Sequence, residues 1–143
     1  MDEVAKAPVE MLATLGLRQR VHFGDGRCTL AFEAGMHMCH SGGVVQGGFV
    51  TGWLDAAMAH AYFSLGEPGM VPMSLEIKVS FFAPARPGLL MAEGWIERQG
   101  KSTCFAEAQL KDAAGNVIAK ATSTMRLVSQ SKVADGSRAA VGG

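Results

Sequence analysis

A helix that is apolar on almost every side is stable in water only when other structure surrounds it, and this chain encodes one. Residues 47–61 read Gly47-Gly48-Phe49-Val50-Thr51-Gly52-Trp53-Leu54-Asp55-Ala56-Ala57-Met58-Ala59-His60-Ala61. The pattern predicts a helix from about Gly47 to Leu65, ended by Gly66, Pro68 and Gly69. Asp55 is the one carboxylate between Glu33 and Glu67, and no Lys or Arg occurs between Arg27 and Lys78. A buried carboxylate with no local cation is costly. Asp55 is therefore expected to be buried and to be there for chemistry. The lead-in, Gly42-Gly43-Val44-Val45-Gln46, is rich in glycine.

The rest of the chain must supply what surrounds the helix. Met73, Leu75, Ile77, Val79 and Phe81 alternate with Ser74, Glu76, Lys78 and Ser80, the two-residue period of a strand. Strands over 89–98, 102–111 and 117–128 follow, separated by turns at 84–88, 99–101 and 112–116. These four strands are expected to form an antiparallel meander. Upstream, Val9, Met11, Leu12, Leu15 and Leu17 suggest a short amphipathic helix broken near Gly16. Two short strands then flank the turn Gly24-Asp25-Gly26. Residues 129–143 have no apolar periodicity and are expected to be disordered. The reading is one α+β domain over 1–128, a long helix filling a strongly curved antiparallel sheet.

The 143 residues are 48 % hydrophobic and 18 % charged, enough for a sizeable core in one domain. The net charge is zero, which argues against nucleic acid or an anionic membrane recruited by bulk charge. Neutrality also suits a chain that hides surface in an oligomer. No apolar run reaches transmembrane length, and Met1–Pro8 lacks the basic start and apolar core of a signal peptide, so a cytoplasmic location is expected. The cysteines, Cys28, Cys39 and Cys104, are odd in number and form no CxxC pair, which disfavours a disulfide framework. His37-Met38-Cys39-His40 gathers potential metal ligands without a second ligand pair elsewhere, so no metal is expected.

The order of these pieces resembles the hotdog-fold thioesterases of the phenylacetate-degradation type. That family has a polar residue and a Gly-Gly pair at a helix start, with an acid nine residues beyond the polar one, matched by Gln46-Gly47-Gly48 and Asp55. Its next strand carries a hydroxyl residue, alternation, an aromatic and then Pro, matched from Ser74 to Pro84. Gly100-Lys101 and Asp112 to Gly115 match its later turns. The resemblance spans roughly residues 10–128. The family usually has His where this chain has Gln46, and often Asn where it has His40; both residues here stay polar.

The resemblance implies acyl-CoA thioester hydrolysis, for an aryl or medium-chain acyl group. N–H groups at a helix N-terminus are unpaired and lie at the positive end of the dipole, so Gly47 and Gly48 can donate to a thioester oxyanion. Asp55 is then nucleophile or general base. From Gly47 to Asp55 is roughly 12 Å along a helix at ~1.5 Å per residue, too far for one carbon to touch both. The site is therefore expected to join Gly47 and Gly48 of one subunit to Asp55 of another, in a homodimer or a homotetramer built as a dimer of dimers. The resemblance places Ser74 beside the acid. Gln46 and His40 would contact the thioester or hold water. Arg86, Arg98, Gly100 and Lys101 flank turns that could bind coenzyme A phosphates. No cofactor is required, since coenzyme A is part of the substrate. A structural acid paired with His60 or with a backbone group, a non-catalytic acyl-CoA binding protein, and a hotdog hydratase or dehydratase using His40 are the competing readings.

Overall fold

The computed structural model describes residues 9–142; the acidic N-terminus and the start of the expected first helix lie outside them. A short helix α1 (Val9–Thr14) precedes two strands, β1 (Leu17–Gly24) and β2 (Arg27–Ala34). Asp25 and Gly26 join the strands, with φ of 53° and 77°. This double positive φ is what a two-residue hairpin needs and what Asp-Gly supplies. A small pair, β3 (Cys39–His40) and β4 (Val44–Val45), leads into the long helix α2 (Gly47–Phe63). Strands β5 (Met70–Phe81), β6 (Gly88–Gln99), β7 (Thr103–Lys111) and β8 (Val117–Ser129) follow. A last helix, α3 (Gln130–Gly142), closes the described chain.

The main sheet is antiparallel with order β1-β2-β6-β7-β8-β5. This corrects the expected four-strand meander: β6, β7 and β8 are consecutive neighbours, but β5 lies at the far edge beside β8. The β5–β6 connection explains the difference. Pro84-Ala85-Arg86-Pro87 cannot make a tight hairpin, because its two prolines fix φ and lack N–H donors. It crosses instead toward the N-terminal end of α2, where the Ala85 carbonyl accepts from Val45 N–H at 2.8 Å. Edge placement also accounts for Pro72 inside β5.

The sheet wraps α2. Trp53, Leu54, Ala57, Met58 and Ala61 are fully buried against Leu30, Phe32, Ala92, Ala108, Leu110 and Met125. Small residues on β6 and β7 let the helix approach closely. A Cβ on Gly94 would lie 2.4 Å from the Ala57 carbonyl oxygen, so only glycine fits there. Trp53 stacks on Phe32, with centroids 5.8 Å apart, and its Nε1–H donates to the Leu15 carbonyl at 2.7 Å. That bond ties the segment after α1 to α2.

Two further expectations differ from the structure. The face of β5 read as apolar core is not uniformly buried: a bulge between Ser74 and Glu76 breaks its register, and Leu75 is 62 % and Phe81 54 % exposed. A bulge shifts which side chains face the sheet. The tail expected to be disordered forms α3, whose N-terminus Ser129 caps by accepting from Lys132 N–H at 3.3 Å. No helix among the described residues is long and apolar enough to cross a membrane.

Candidate active site

Gly52, Asp55, Ala56, Ala59 and Phe63 recur at the spacing of a single helix stripe. On α2 this stripe lines a groove of about 850 Å³. Leu15, Met70 and Val71 supply the facing wall, so the groove is mostly apolar. Asp55 is half-buried there, not enclosed, because it lines the groove. The Ser74 hydroxyl, on β5, donates to Asp55 Oδ1 at 2.8 Å. The alternative pairing with His60 is not formed: its Nδ1–H donates to the Ala56 carbonyl at 2.8 Å, and its ring meets Phe63 edge-on. Asp55 Oδ1 is thus held by Ser74, and Oδ2 has no hydrogen-bond partner among the described residues. A carboxylate held on one oxygen can act through the other, as base or as nucleophile.

The second group of residues meets at the N-terminal end of α2. Gln46 is the N-cap, in extended backbone (φ −63°, ψ 137°), and its side-chain Oε1 accepts from Gly48 N–H at 2.7 Å. The Gly47 N–H has no hydrogen-bond partner among the described residues. A Cβ on Gly47 would lie 3.2 Å from Phe81 Cζ, so the exposed Phe81 ring shields this end of the helix. His40 pairs with Val44 in the lead-in and is exposed. Arg86 Nη1 donates to the Gly42 carbonyl at 3.0 Å, which pins the loop formed by Gly42 and Gly43, both in left-handed backbone (φ 74° and 71°).

Arg98, Gly100 and Lys101 lie elsewhere. Gly26 N–H donates to Ser64 Oγ at the end of α2, and Ile96 N–H donates to the Gly26 carbonyl. The end of β6 is therefore beside the C-terminal end of the helix. Arg98 and Lys101 are exposed there, and Gly100 N–H closes the turn on the Thr103 carbonyl at 2.7 Å. Within one chain the expected site falls into three places: Asp55 with Ser74 midway along α2; Gly47, Gly48, Gln46, His40 and Arg86 at its start; Arg98, Gly100 and Lys101 past its end. Start and end are about 24 Å apart at ~1.5 Å per residue.

Sequence reasoning missed the Phe81 shield, the Arg86 clamp and the far wall of the groove. The half-stripe at 52, 55, 59 and 63 was a visible signal for the groove, hidden by the overall apolarity of the helix. Among the described residues no group of three His, Cys, Asp or Glu side chains could hold a metal ion.

Known proteins share the sequence family and the fold. The profile of the thioesterase superfamily matches residues 42–119, from the lead-in through β8's start. An esterase candidate from Saccharolobus solfataricus is 25 % identical over 121 residues, 85 % of each chain. The crystal structure of a thioesterase candidate related to phenylacetic acid degradation, from Ralstonia eutropha JMP134, is 30 % identical and covers 85 % of this chain and 92 % of its own, with a TM-score of 0.76. A hypothetical thioesterase of Streptococcus pneumoniae TIGR4, solved with coenzyme A, shares the fold at 20 % identity and TM-score 0.72, covering 78 % of this chain and 86 % of its own. The chain belongs to the thioesterase superfamily, with the hotdog fold of the phenylacetate-degradation type.

Proposed function

We propose that the protein hydrolyses an aryl- or medium-chain acyl-CoA to the free acid and coenzyme A, as a homo-oligomer whose sites are shared between subunits. The observation that carries this reading is the Ser74–Asp55 hydrogen bond at the wall of an apolar groove. Ser74 holds one carboxylate oxygen, the groove takes the acyl group, and the other oxygen faces the thioester carbon. Either Asp55 deprotonates a water that adds to that carbon, or it adds directly to give an anhydride that water then cleaves. In both routes the carbonyl oxygen gains charge and the C–S bond breaks as coenzyme A thiolate leaves. Backbone N–H donors must meet that oxygen.

Those donors come from Gly47 and Gly48 of a second subunit. If two α2 helices lie antiparallel with their uncovered stripes together, the start of one lies beside the middle and end of the other. Asp55 then meets Gly47, Gly48, Gln46 and His40 of the partner, and Arg98 and Lys101 fall on the same side as its Arg86, where cations suit coenzyme A phosphates. The groove along α2 supports this arrangement, and the coenzyme A in the Streptococcus pneumoniae relative supports coenzyme A as the leaving group. A specific observation favours a second reading, binding without cleavage: Gly48 N–H is already occupied by Gln46.

The test is thiol release from benzoyl-, phenylacetyl-, hydroxybenzoyl-, short- and long-chain acyl-CoAs by the native chain and by a folded Asp55→Asn variant. Turnover that falls at least about 1,000-fold in the variant supports hydrolysis through Asp55. Acyl-CoA binding with no thiol release moves the binding reading ahead.

A further inference from the structure

Gln46 is an unusual helix cap. Short Ser, Thr, Asp and Asn side chains dominate this position because they reach the second or third N–H with little rotamer loss. Gln is longer and loses more side-chain freedom when held. Its carbonyl oxygen nevertheless sits 2.7 Å from the Gly48 nitrogen, at an exposed site. The absence of a side chain on Gly48 permits this, since a Cβ there would come within 2.6 Å of the same Oε1. Phe81 covers the neighbouring Gly47. The amide oxygen of Gln46 therefore occupies the place, and has the chemical character, of a thioester carbonyl oxygen at the Gly48 donor.

We infer that Gln46 is an internal stand-in for the substrate carbonyl, which a thioester must displace from Gly48 N–H before it can be polarised. This rests on the thioesterase reading above and deepens it. The bond competes with substrate only through the carbonyl group. Ligands lacking a carbonyl do not compete. An enzyme whose donor is free in only a fraction of molecules binds a carbonyl ligand more weakly by that fraction. One ordinary exposed hydrogen bond shifts such an equilibrium by about fivefold. Gln46 is thus a gating residue with a predicted sign: removing it tightens carbonyl binding, whereas loss of a purely structural cap would loosen it.

The test compares two stable ligands on the full-length protein. One is a hexyl ketone analogue of acyl-CoA, with methylene in place of sulfur; the other is S-hexyl-CoA, which has no carbonyl at the thioester position. In Gln46→Ala the ketone is expected to bind about fivefold tighter, with S-hexyl-CoA unchanged. In Gln46→Glu, whose carboxylate caps the positive helix end more strongly and keeps the helix start intact, the ketone is expected to bind more weakly relative to S-hexyl-CoA. An unchanged or weaker ketone affinity in Gln46→Ala overturns the inference and leaves the thioesterase reading standing. So does an equal shift for both ligands. If neither ligand binds any of the three proteins, the thioester site itself fails and the inference falls with it.

Discussion

Gly94→Ala is the smallest change that tests how α2 is held. A Cβ at this position would sit 2.4 Å from the Ala57 carbonyl oxygen, 2.5 Å from its carbon and 2.9 Å from Met58 nitrogen. Ordinary contact begins near 3.4 Å, so helix and strand must part by about 1 Å. The obstacle is backbone inside a hydrogen-bonded helix, not a side chain that can rotate away. Overpacking of this kind costs about 2–3 kcal/mol, or roughly 6–12 °C in melting temperature for a chain of this size. The displaced helix carries Gly47, Gly48 and Asp55, and a shift of about 1 Å can cost about 100-fold in rate. Thermal melts and thiol release measure both. Gly136→Ala is the control, since that position in α3 has nothing within 4 Å; it should gain up to about 1 kcal/mol. A Gly94→Ala variant that melts within about 2 °C of native and keeps full activity would refute the packing argument.

Ser74→Ala should lower kcat/KM about tenfold by freeing Asp55 Oδ1, with the melting temperature nearly unchanged because Ser74 is exposed. Ser74→Thr should recover part of the loss. Trp53→Phe removes the bond to the Leu15 carbonyl and should cost about 2–4 kcal/mol in urea unfolding. Burial pushes the Cys28 thiol up to about 12, against a smaller opposing effect of Arg20, and burial also raises Cys104. At pH 8 iodoacetamide should therefore label Cys39, which is half-buried, well before the other two. Because the folded value lies above the unfolded one, Cys28 contributes stability below the ordinary thiol range and loses it as pH rises toward about 12.

The helix and the six strands of the main sheet were legible because they depend on local patterns, whereas the short β3–β4 pair was not. Residues 47–63 are apolar apart from Thr51, Asp55 and His60, and the turns at Asp25-Gly26 and Asp112–Asn116 are locally encoded. Asp112 Oδ1 accepts from Ala114 and Asn116 N–H at 3.0 and 2.9 Å, and the Asn116 bonds above all hold its carboxyl below the usual range. The position of β5 was not legible, because its partner is chosen by a crossover through Pro84–Pro87 that no single-strand pattern encodes. The exposure of Leu75 was hidden by a bulge, which flips alternation without changing composition. Helix α3 was hidden because its segment has no apolar stripe; it is supported by its Ser129 cap, the Asp135–Arg138 ion pair and alanines. At the candidate site, the Asp55–Ser74 contact was implied by the resemblance, and the hydrogen bond is present. The expectation of a fully buried Asp55 missed because apolarity on all sides of a helix does not distinguish a stripe packed in the core from one that lines a groove. The Gln46–Gly48 bond was not legible, since a Gln before two glycines shows no preference for folding back.

The central claim is a composite site, with the carboxylate from one subunit and the helix start from another. The most direct test is a hybrid oligomer purified from doubly tagged co-expression of Asp55→Asn and Gly48→Asp chains. Each parent should be inactive: one lacks the carboxylate, the other puts a negative charge where the oxyanion forms. A hybrid pair holds one intact composite site and one with both defects. The account predicts about half the native rate of thiol release per pair. A hybrid as inactive as its parents would contradict it.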